Sequence, residues 1–207
     1  MANLTLEEVN EKYPDVLQEI GNIGAGNAAT AIATMLNMKV DISVPAVNLI
    51  KVENIVSFLG SEDQIIVGIM LGIEADIHGS MMFLLDMASA HKLVNRMMMR
   101  DSDYDADFDE MDYSAIQEIG NIIAGSYLNA LSGMTNLSIT PSVPFVAVDM
   151  AAAILSVPAV TFGMEGDHAL LIKTEIGDDG GIISGYFILM PEGNSYEKIL
   201  GALGLPI

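Results

Sequence analysis

The sequence contains one stretch twice, and this repeat constrains the fold more than any other feature. Residues 15–26 read DVLQEIGNIGAG, and residues 114–125, 99 positions later, read SAIQEIGNIIAG. The match extends beyond this stretch, because the tripeptide Ser-Val-Pro at 43–45 recurs without a gap at 142–144. A register kept over about thirty residues indicates an internal duplication. The chain is therefore expected to fold as two similar halves.

Length and cysteine content limit the size and the environment of the protein. With 207 residues, the chain fits one domain or two small halves around a shared core. Cysteine is absent, which excludes disulfides and thiol chemistry and is consistent with the cytoplasm, where we expect the protein. The first residues are acidic and polar, so no signal peptide is expected. Glycines and charges interrupt the apolar runs, so no membrane span is expected either.

The charge balance excludes whole classes of partner. The formal net charge is −20, from 28 acidic and 8 basic residues. Such a surface repels nucleic acid and anionic lipid, and no basic patch offsets it. A protein with a cationic face is the partner that this charge favours.

Apolar periodicity predicts one long helix and several strands in each half. The long helices are predicted from about Pro14 to Leu36 and from about Met111 to Ser132, with Gly133 as the C-terminal stop of the second. Shorter helices are predicted at 88–100 and 195–203. Strands are predicted at 39–47, 48–59, 64–73 and 79–85, and then at 137–148, 159–164, 169–176 and 181–189.

These elements predict an α+β fold with an internal duplication. Two pseudo-twofold-related halves would each pack a long motif-bearing helix on a shared, mainly antiparallel sheet. The predicted organisation is one domain, 1–207, made of repeats at about 1–100 and 113–207 and joined by an acidic linker, 101–112. The segment 151–158 has no close counterpart in the first half.

Three glycines inside the first long helix indicate close packing. Gly21, Gly24 and Gly26 each cost a helix about 1 kcal/mol relative to alanine, so we expect them to allow another backbone, such as that of the twin helix, to approach. A dinucleotide-binding loop is not supported, because the order of the glycines is wrong and no strand precedes them.

The acidic linker has the spacing of a calcium-binding loop. Two features count against such a site: Ala106 stands where the loop needs a glycine, and an aspartate stands where it needs a bidentate glutamate. A solvated linker whose end caps the next helix is the preferred interpretation. The candidate ligands are Asp101, Asp103, Asp105, Asp109 and Asp112.

The polar residues of the repeated stretch share one helix face. Asp15, Glu19 and Asn22 are spaced i, i+4 and i+7. A carboxylate and a carboxamide one turn apart can hold an ion pair and orient a water molecule. A single such pair is typical of the solvated side of an amphipathic helix, and duplication by descent could preserve it, but its recurrence favours a function. The second copy consists of Ser114, Glu118 and Asn121.

The histidines do not support other catalytic arrangements. His78, His91 and His168 are scattered and do not recur in the two halves. Catalysis by a Ser-His-Asp triad and a histidine-based metal site therefore have little support.

The repeated residues resemble a known family motif. The pattern Asp/Ser-x3-Glu-x2-Asn is followed, after twenty-two residues, by Pro45 in the first copy and Pro144 in the second. In this pattern the chain resembles the CheC/CheX/FliY family of chemotaxis phosphatases, and the resemblance covers essentially the whole length. Both copies are intact, and the chain ends at Ile207 without the further flagellar-switch domain of FliY-like members, so it resembles the two-site CheC type.

The resemblance implies a reaction and a mechanism. The reaction is hydrolysis of the aspartyl phosphate of the response regulator CheY, which itself supplies a Mg²⁺ ion and a lysine, so no cofactor of this chain's own is expected. By analogy, Asn22 and Asn121 would orient the attacking water, while Glu19 and Glu118 would pair with the lysine of the regulator. In the same analogy the supporting positions are Asp15 and Ser114 for the helix or the contact, and Pro45 and Pro144 for the adjoining backbone.

Two other functions remain open at this stage. The resemblance also implies the receptor deamidase CheD as a partner, so the chain could act mainly as a non-catalytic adaptor that sequesters CheD in response to phosphorylated CheY. A structural role in the flagellar switch is disfavoured by the missing switch domain. Because the halves already pair their helices, a monomer is expected in isolation.

Overall fold

The protein folds around one antiparallel sheet with helices on both faces. The structure is a computed structural model that describes residues 6–36, 39–101, 103–162, 168–178 and 181–205. The helices are α1 (Leu6–Lys12), α2 (Pro14–Leu36), α3 (Val56–Leu59), α4 (Met87–Met97), α5 (Glu110–Thr135), α6 (Ala151–Phe162) and α7 (Ser195–Ala202). The strands are β1 (Asp41–Lys51), β2 (Ile65–Ala75), β3 (Gly79–Asp86), β4 (Ile139–Pro141), β5 (Phe145–Met150), β6 (His168–Asp178) and β7 (Gly181–Pro191).

The two halves of the sheet exchange their outer strands. The strand order is β1-β6-β7-β3-β2-β4, with β5 also paired to β2. The first strand of each half therefore lies on the hairpin of the other half. The registers of the two sides agree: Lys51 lies opposite His168, and Met150, the counterpart of Lys51, lies opposite Ile65. The predicted α+β fold, with two pseudo-twofold-related halves and a shared antiparallel sheet, is confirmed.

The pseudo-twofold axis passes through a pair of phenylalanines. Phe83 of β3 lies directly opposite Phe187 of β7, where the two hairpins meet. Both side chains are buried, and their rings stack with centroids 4.6 Å apart. Because Phe83 pairs with Ile69 and Phe187 with Ile172 at matching places in their hairpins, the two aromatic residues are equivalents. Their stacking joins the halves at the centre of the core.

Helices cover both faces of the sheet, which explains its continuous apolar strands. Residues 66–73 of β2 are all buried, so this strand does not alternate between apolar and polar residues. One core cluster joins the sheet to α2, α5, α4 and α7. A second cluster, on the other face, joins it to α6 and to the turn before α3. No helix in the described ranges is long and apolar enough to cross a membrane.

The long helices pack on each other through unlike residues. Gly24 of α2 faces the ring of Tyr127 of α5, and a Cβ added at Gly24 would collide with that ring. The ring of Tyr127 also lies 4.5 Å from that of Phe187, and its hydroxyl lies 3.3 Å from Thr174 Oγ1. Burial raises the pKa of Tyr127 to about 12. Gly24 thus accommodates a side chain of the twin helix.

The other two glycines of α2 have different surroundings. Gly21 faces the Val44 and Val47 side chains of β1, so it brings α2 close to the sheet. Gly26 is exposed, and nothing lies within 4 Å of a Cβ added there. Close packing is thus confirmed at Gly21 and Gly24, but the neighbours there are side chains and not the predicted second backbone, and Gly26 has no close neighbour.

The acidic side chains at the end of the linker form hydrogen bonds and ion pairs with neighbouring residues. Asp109 caps α5 in a capping box with Asp112, so the helix begins at Glu110 and includes the last three residues of the predicted linker. Asp112 is buried and accepts a 2.6 Å hydrogen bond from Arg100 Nη1. Asp109 and Asp112, both candidate calcium ligands, are therefore engaged, and the described residues contain no group of three or more acidic or histidine side chains that could hold a metal ion.

Several details of the predicted elements are wrong, and the strand predicted at 137–148 is divided into β4 and β5. Residues 48–51 continue β1, and the chain then forms a single 3-10 turn (Val52–Asn54) and α3, so 48–59 is not a separate strand. Residues 159–162 belong to α6, while 163–164 lie outside the described residues. Gly133 lies inside α5, which ends at Thr135 and is capped by Asn136 in a left-handed conformation with φ of 56°. Asparagine tolerates this conformation, so it terminates the helix three residues later than predicted.

Candidate functional site

The first copy of the polar motif lies on the exposed face of α2. Asp15, Glu19 and Asn22 are all exposed, whereas Leu17 and Ile20, between them in sequence, are buried against the core. The helical period thus turns the polar side chains outward while the apolar ones hold the helix on the sheet.

The second copy has the same placement on α5. Ser114, Glu118 and Asn121 are exposed, and the neighbouring Ile116 and Ile119 are buried. Each copy therefore presents one glutamate and one asparagine to solvent from the same face of its helix, and the first copy adds the carboxylate of Asp15. The structure brings together the residues of each predicted site, but on two separate helices.

The difference between Asp15 and Ser114 follows from where each helix begins. Pro14 opens α2, so Asp15 lies in the first turn, where a carboxylate interacts favourably with the helix dipole. The second helix begins at Glu110, four residues before Ser114. Ser114 Oγ donates a 2.9 Å hydrogen bond to the Glu110 carbonyl oxygen, which keeps this polar side chain satisfied inside the helix.

The two motif prolines lie in equivalent irregularities of the edge strands. The register of β1 shifts between Ser43 and Ala46, and the gap between β4 and β5 falls at the matching place. An extra residue in a strand moves the flanking side chains from one face to the other. In the first copy Val44 is 8% exposed and the proline after it is exposed, while in the second copy Val143 is 81% exposed and the proline is buried.

A glutamine that precedes each glutamate ties the motif helix to this irregularity. Gln18 Nε2 donates a 2.7 Å hydrogen bond to the carbonyl oxygen of Val44. Its equivalent, Gln117, donates a 2.6 Å hydrogen bond to the carbonyl oxygen of Pro144, one residue further along. The sequence analysis missed both glutamines, although their presence in the repeated hexapeptide QEIGNI was a signal for them.

The first copy contains one more hydrogen bond. Gln18 Nε2 also lies 3.3 Å from Asn22 Oδ1, to which it donates. The side chain of Asn121 forms no such bond with any residue in the described part of the chain. The two copies thus share the glutamine, glutamate and asparagine, but only in the first copy does the glutamine donate a hydrogen bond to the asparagine.

The chemistry available to these residues requires a second molecule. Among the described residues, neither Glu19 nor Glu118 takes part in an ion pair, so both carboxylates can accept a cationic group from a partner. A carboxamide can both donate to and accept from a water molecule, but it is not a nucleophile. Of the described histidines, His91 packs on Phe108 with ring centroids 4.3 Å apart and lies outside both motifs.

Comparison with known proteins gives a consistent match. The model of the CheC-like family matches residues 14–49 and 111–148, the segments that carry the two motif helices and their edge strands. The CheY-P phosphatase CheC of Bacillus subtilis is 37% identical over 201 residues, which cover 95% of this chain and 96% of that protein.

Two further relatives carry the name FliY. The flagellar motor switch phosphatase FliY of Bacillus subtilis is 30% identical over 140 residues, which cover 67% of this chain and 36% of that protein. The crystal structure of Thermotoga maritima FliY superposes with a TM-score of 0.77 at 24% identity, over 98% of both chains. This structural likeness extends the match to the whole fold.

Proposed function

This chain belongs to the CheC-like family, and from that membership we propose that it is a phosphatase that hydrolyses the aspartyl phosphate of a CheY-type response regulator. The observation that carries the proposal is the pair of exposed Glu-Asn sites at identical spacing on two equivalent helices. The glutamate and asparagine of each site are not nucleophiles of the usual kind, which suits a reaction in which water attacks a phosphoryl group held by another protein.

The asparagines are the proposed catalytic residues. Asn22 and Asn121 each enter the phosphorylation site of the regulator and orient a water molecule for in-line attack. A carboxamide serves this task better than a carboxylate, because it adds no negative charge beside the phosphoryl group. A roughly 100-fold acceleration requires about 2.7 kcal/mol, which one well-placed polar group can provide.

The glutamates are the proposed docking residues. Glu19 and Glu118, exposed and without an ion pair among the described residues, each pair with a lysine of the regulator. Asp15 and Ser114 support the start and the interior of their helices, and Pro45 and Pro144 shape the backbone beside them. The Mg²⁺ ion of the reaction belongs to the regulator, and this chain contributes no metal ligand of its own.

The test is phosphate release from a phosphorylated CheY-type receiver. The wild type is compared with Asn22→Ala, Asn121→Ala and the double variant, and we expect the double variant to lose nearly all of the acceleration. Asn27→Ala and Asn129→Ala are matched controls, because each removes an exposed asparagine of the same helix outside the motif. All variants should keep the wild-type melting temperature, since the side chains face solvent. Full activity in the double variant would disprove the assignment.

We also propose the receptor deamidase CheD as a partner, because the family resemblance implies it. We propose a monomer in isolation, because α2 already pairs with α5 within the chain. We propose a cytoplasmic location, which the absence of cysteine supports. An adaptor role would appear as capture of CheD that depends on the phosphorylated regulator. If the chain captures CheD in this way but does not accelerate phosphate loss, the adaptor is the correct alternative.

A further inference from the structure

Equivalent glutamines hold the two sites differently. Gln18 uses its amide nitrogen twice, at 2.7 Å from the Val44 carbonyl oxygen and at 3.3 Å from Asn22 Oδ1. Gln117 uses its amide nitrogen once among the described residues, at 2.6 Å from the Pro144 carbonyl oxygen. One glutamine bridges the edge strand and the asparagine, and the other reaches only the edge strand.

The two strand irregularities also differ in the direction in which their valine side chain points. In the first copy the valine turns inward and its own carbonyl oxygen accepts from the glutamine; in the second copy the valine turns outward and the carbonyl oxygen of the following proline accepts. The acceptor thus shifts by one residue between sites whose helix residues are identical from Gln18 to Ile23.

We propose that Gln18 is a positioning residue for Asn22, so that the first site presents a carboxamide held in one orientation and the second site a carboxamide that is free to rotate. This inference rests on the proposed function, because its kinetic consequence requires Asn22 to act on the phosphorylated regulator. Gln18 itself touches no reacting atom.

The hydrogen bond fixes which atoms Asn22 offers. With Oδ1 accepting from Gln18, the Nδ2 group points away from the glutamine, and Oδ1 keeps one acceptor site for a water molecule. Because the terminal torsion of asparagine is otherwise broad, this bond removes orientations that cannot bind the water productively. A solvent-exposed bond of 3.3 Å is weak, and its loss should lower the turnover of the first site by about two- to fivefold.

The kinetic test uses full-length single-site variants. Asn121→Ala leaves only the first site and Asn22→Ala only the second. Into these backgrounds we place Gln18→Met and Gln117→Met respectively, since methionine keeps the length and helix propensity of glutamine but removes the N–H donors. Both changes delete the bond from helix to edge strand, so Gln117→Met is the matched control.

We expect Gln18→Met to lower kcat of the first site about two- to fivefold with KM unchanged, while Gln117→Met leaves kcat of the second site unchanged. Both variants should lose similar thermal stability. An unchanged kcat in Gln18→Met, or an equal fall in both variants, overturns the proposal, because the glutamines would then act only through the strand.

A second measurement does not depend on catalysis. Side-chain amide ¹⁵N relaxation of the free wild-type protein should show Asn22 more restricted than Asn121, and Gln18→Met should bring Asn22 to the mobility of Asn121. Equal mobility in the wild type overturns the positioning role. Asn22 could be restricted as expected while neither Asn121→Ala nor Asn22→Ala accelerates phosphate release. The proposed phosphatase function would then fail, but the positioning of Asn22 by Gln18 would be confirmed.

Discussion

At the scale of single residues, the proposed mechanism separates docking from catalysis along one helical turn. The carboxylates of Glu19 and Glu118 are exposed and have no ion pair within the described chain, so a lysine of the regulator can approach them without displacing another partner. In this proposal, the carboxamides one turn further along the helix act only after docking. Substitutions at the two positions should therefore change different kinetic constants.

Glu118→Gln in the Asn22→Ala background should raise KM for the phosphorylated receiver about two- to fivefold, with a smaller change in kcat. The reason is the loss of one exposed ion pair, which is worth little in water but contributes to docking. The salt dependence of KM should also weaken, because the lost interaction is screened by ions. Steady-state kinetics at low and high ionic strength checks both effects.

Glu197→Gln in the same background is the control for net charge, since this exposed residue lies on α7 outside both sites. An equal rise of KM in Glu197→Gln would show that overall charge, and not a specific pair, sets the docking affinity.

Sequence spacing predicted the exposed polar groups but not their supports. The period of a helix alone places Glu19 and Asn22 on one face, so these positions were accessible to sequence reasoning. The bond from Gln18 to Val44 joins residues 26 positions apart and depends on the strand irregularity. Nothing in the repeated Val-Pro dipeptide predicts that its valine is buried in one copy and exposed in the other.

At the scale of elements, the contact between α2 and α5 depends on one missing side chain. Gly24→Ala should destabilise the protein by about 1–3 kcal/mol, because the new methyl group collides with the Tyr127 ring and forces the helices apart. Gly26→Ala is the matched control in the same helix, and it should stabilise the protein by about 0.5–1 kcal/mol, because its Cβ points into open space.

Urea denaturation of both variants measures these two free energies. A stable Gly24→Ala protein with unchanged spectra would show that the Tyr127 ring can move aside.

The buried Tyr127 should make the protein less stable at alkaline pH. Burial raises the pKa of Tyr127 from 10.0 to about 12, so folding favours the protonated hydroxyl. The contribution is fully present below pH 10 and is lost as the pH rises towards 12, with an order of magnitude of about 2 kcal/mol. Tyr127→Phe removes the titrating group and should show a smaller fall in the free energy of unfolding across this range.

The free energy of unfolding of Tyr127→Phe should still fall somewhat at alkaline pH, because a second tyrosine is partly buried. Burial also raises the pKa of Tyr196 to about 12, so this tyrosine contributes with the same sign. Urea unfolding at about pH 9 and about pH 11.5 compares the two proteins. An identical fall in both would exclude Tyr127 as a contributor.

Long elements were easier to predict than the segments that connect them. A 23-residue helix has enough turns for its period to be visible, and α2 was placed correctly. Residues 52–59 form two short helical pieces. Their apolar residues at 52, 55, 56 and 59 have helical spacing, but eight residues are too few for this period to stand out beside a neighbouring strand. Residues 159–162, which were predicted to be part of a strand, instead continue α6 past its proline.

At the scale of the whole molecule, the exchange of outer strands makes each half dependent on the other. The first half lacks a partner for β1, since that strand pairs with β6, and the second half lacks one for β4 and β5, which pair with β2. The duplication visible in the sequence predicted a shared sheet. The exchange itself could not be predicted, because an outer strand on either hairpin would show the same periodicity.

A cut in the linker should therefore leave the two halves associated. A protease site inserted between Asp105 and Ala106, both exposed, should be cleaved without loss of phosphatase activity or change in elution volume on gel filtration. The uncut insertion variant is the control for the inserted residues. Residues 1–105 expressed alone should not form a folded monomer, and a cooperative, monomeric unfolding transition of that fragment would contradict the dependence.

The unlike pair formed by Gly24 and Tyr127 also has an evolutionary consequence. At the symmetry-related positions stand Ala28 and Ile123, both buried. Two copies of the first half would set Gly24 against alanine and leave a void, whereas two copies of the second would force isoleucine against the tyrosine ring. An ancestral protein with one repeat could assemble as a dimer of identical copies. Neither half of the present protein could form such a dimer without a void or a clash at this contact. The two repeats are then retained together, and selection can act separately on the two proposed sites.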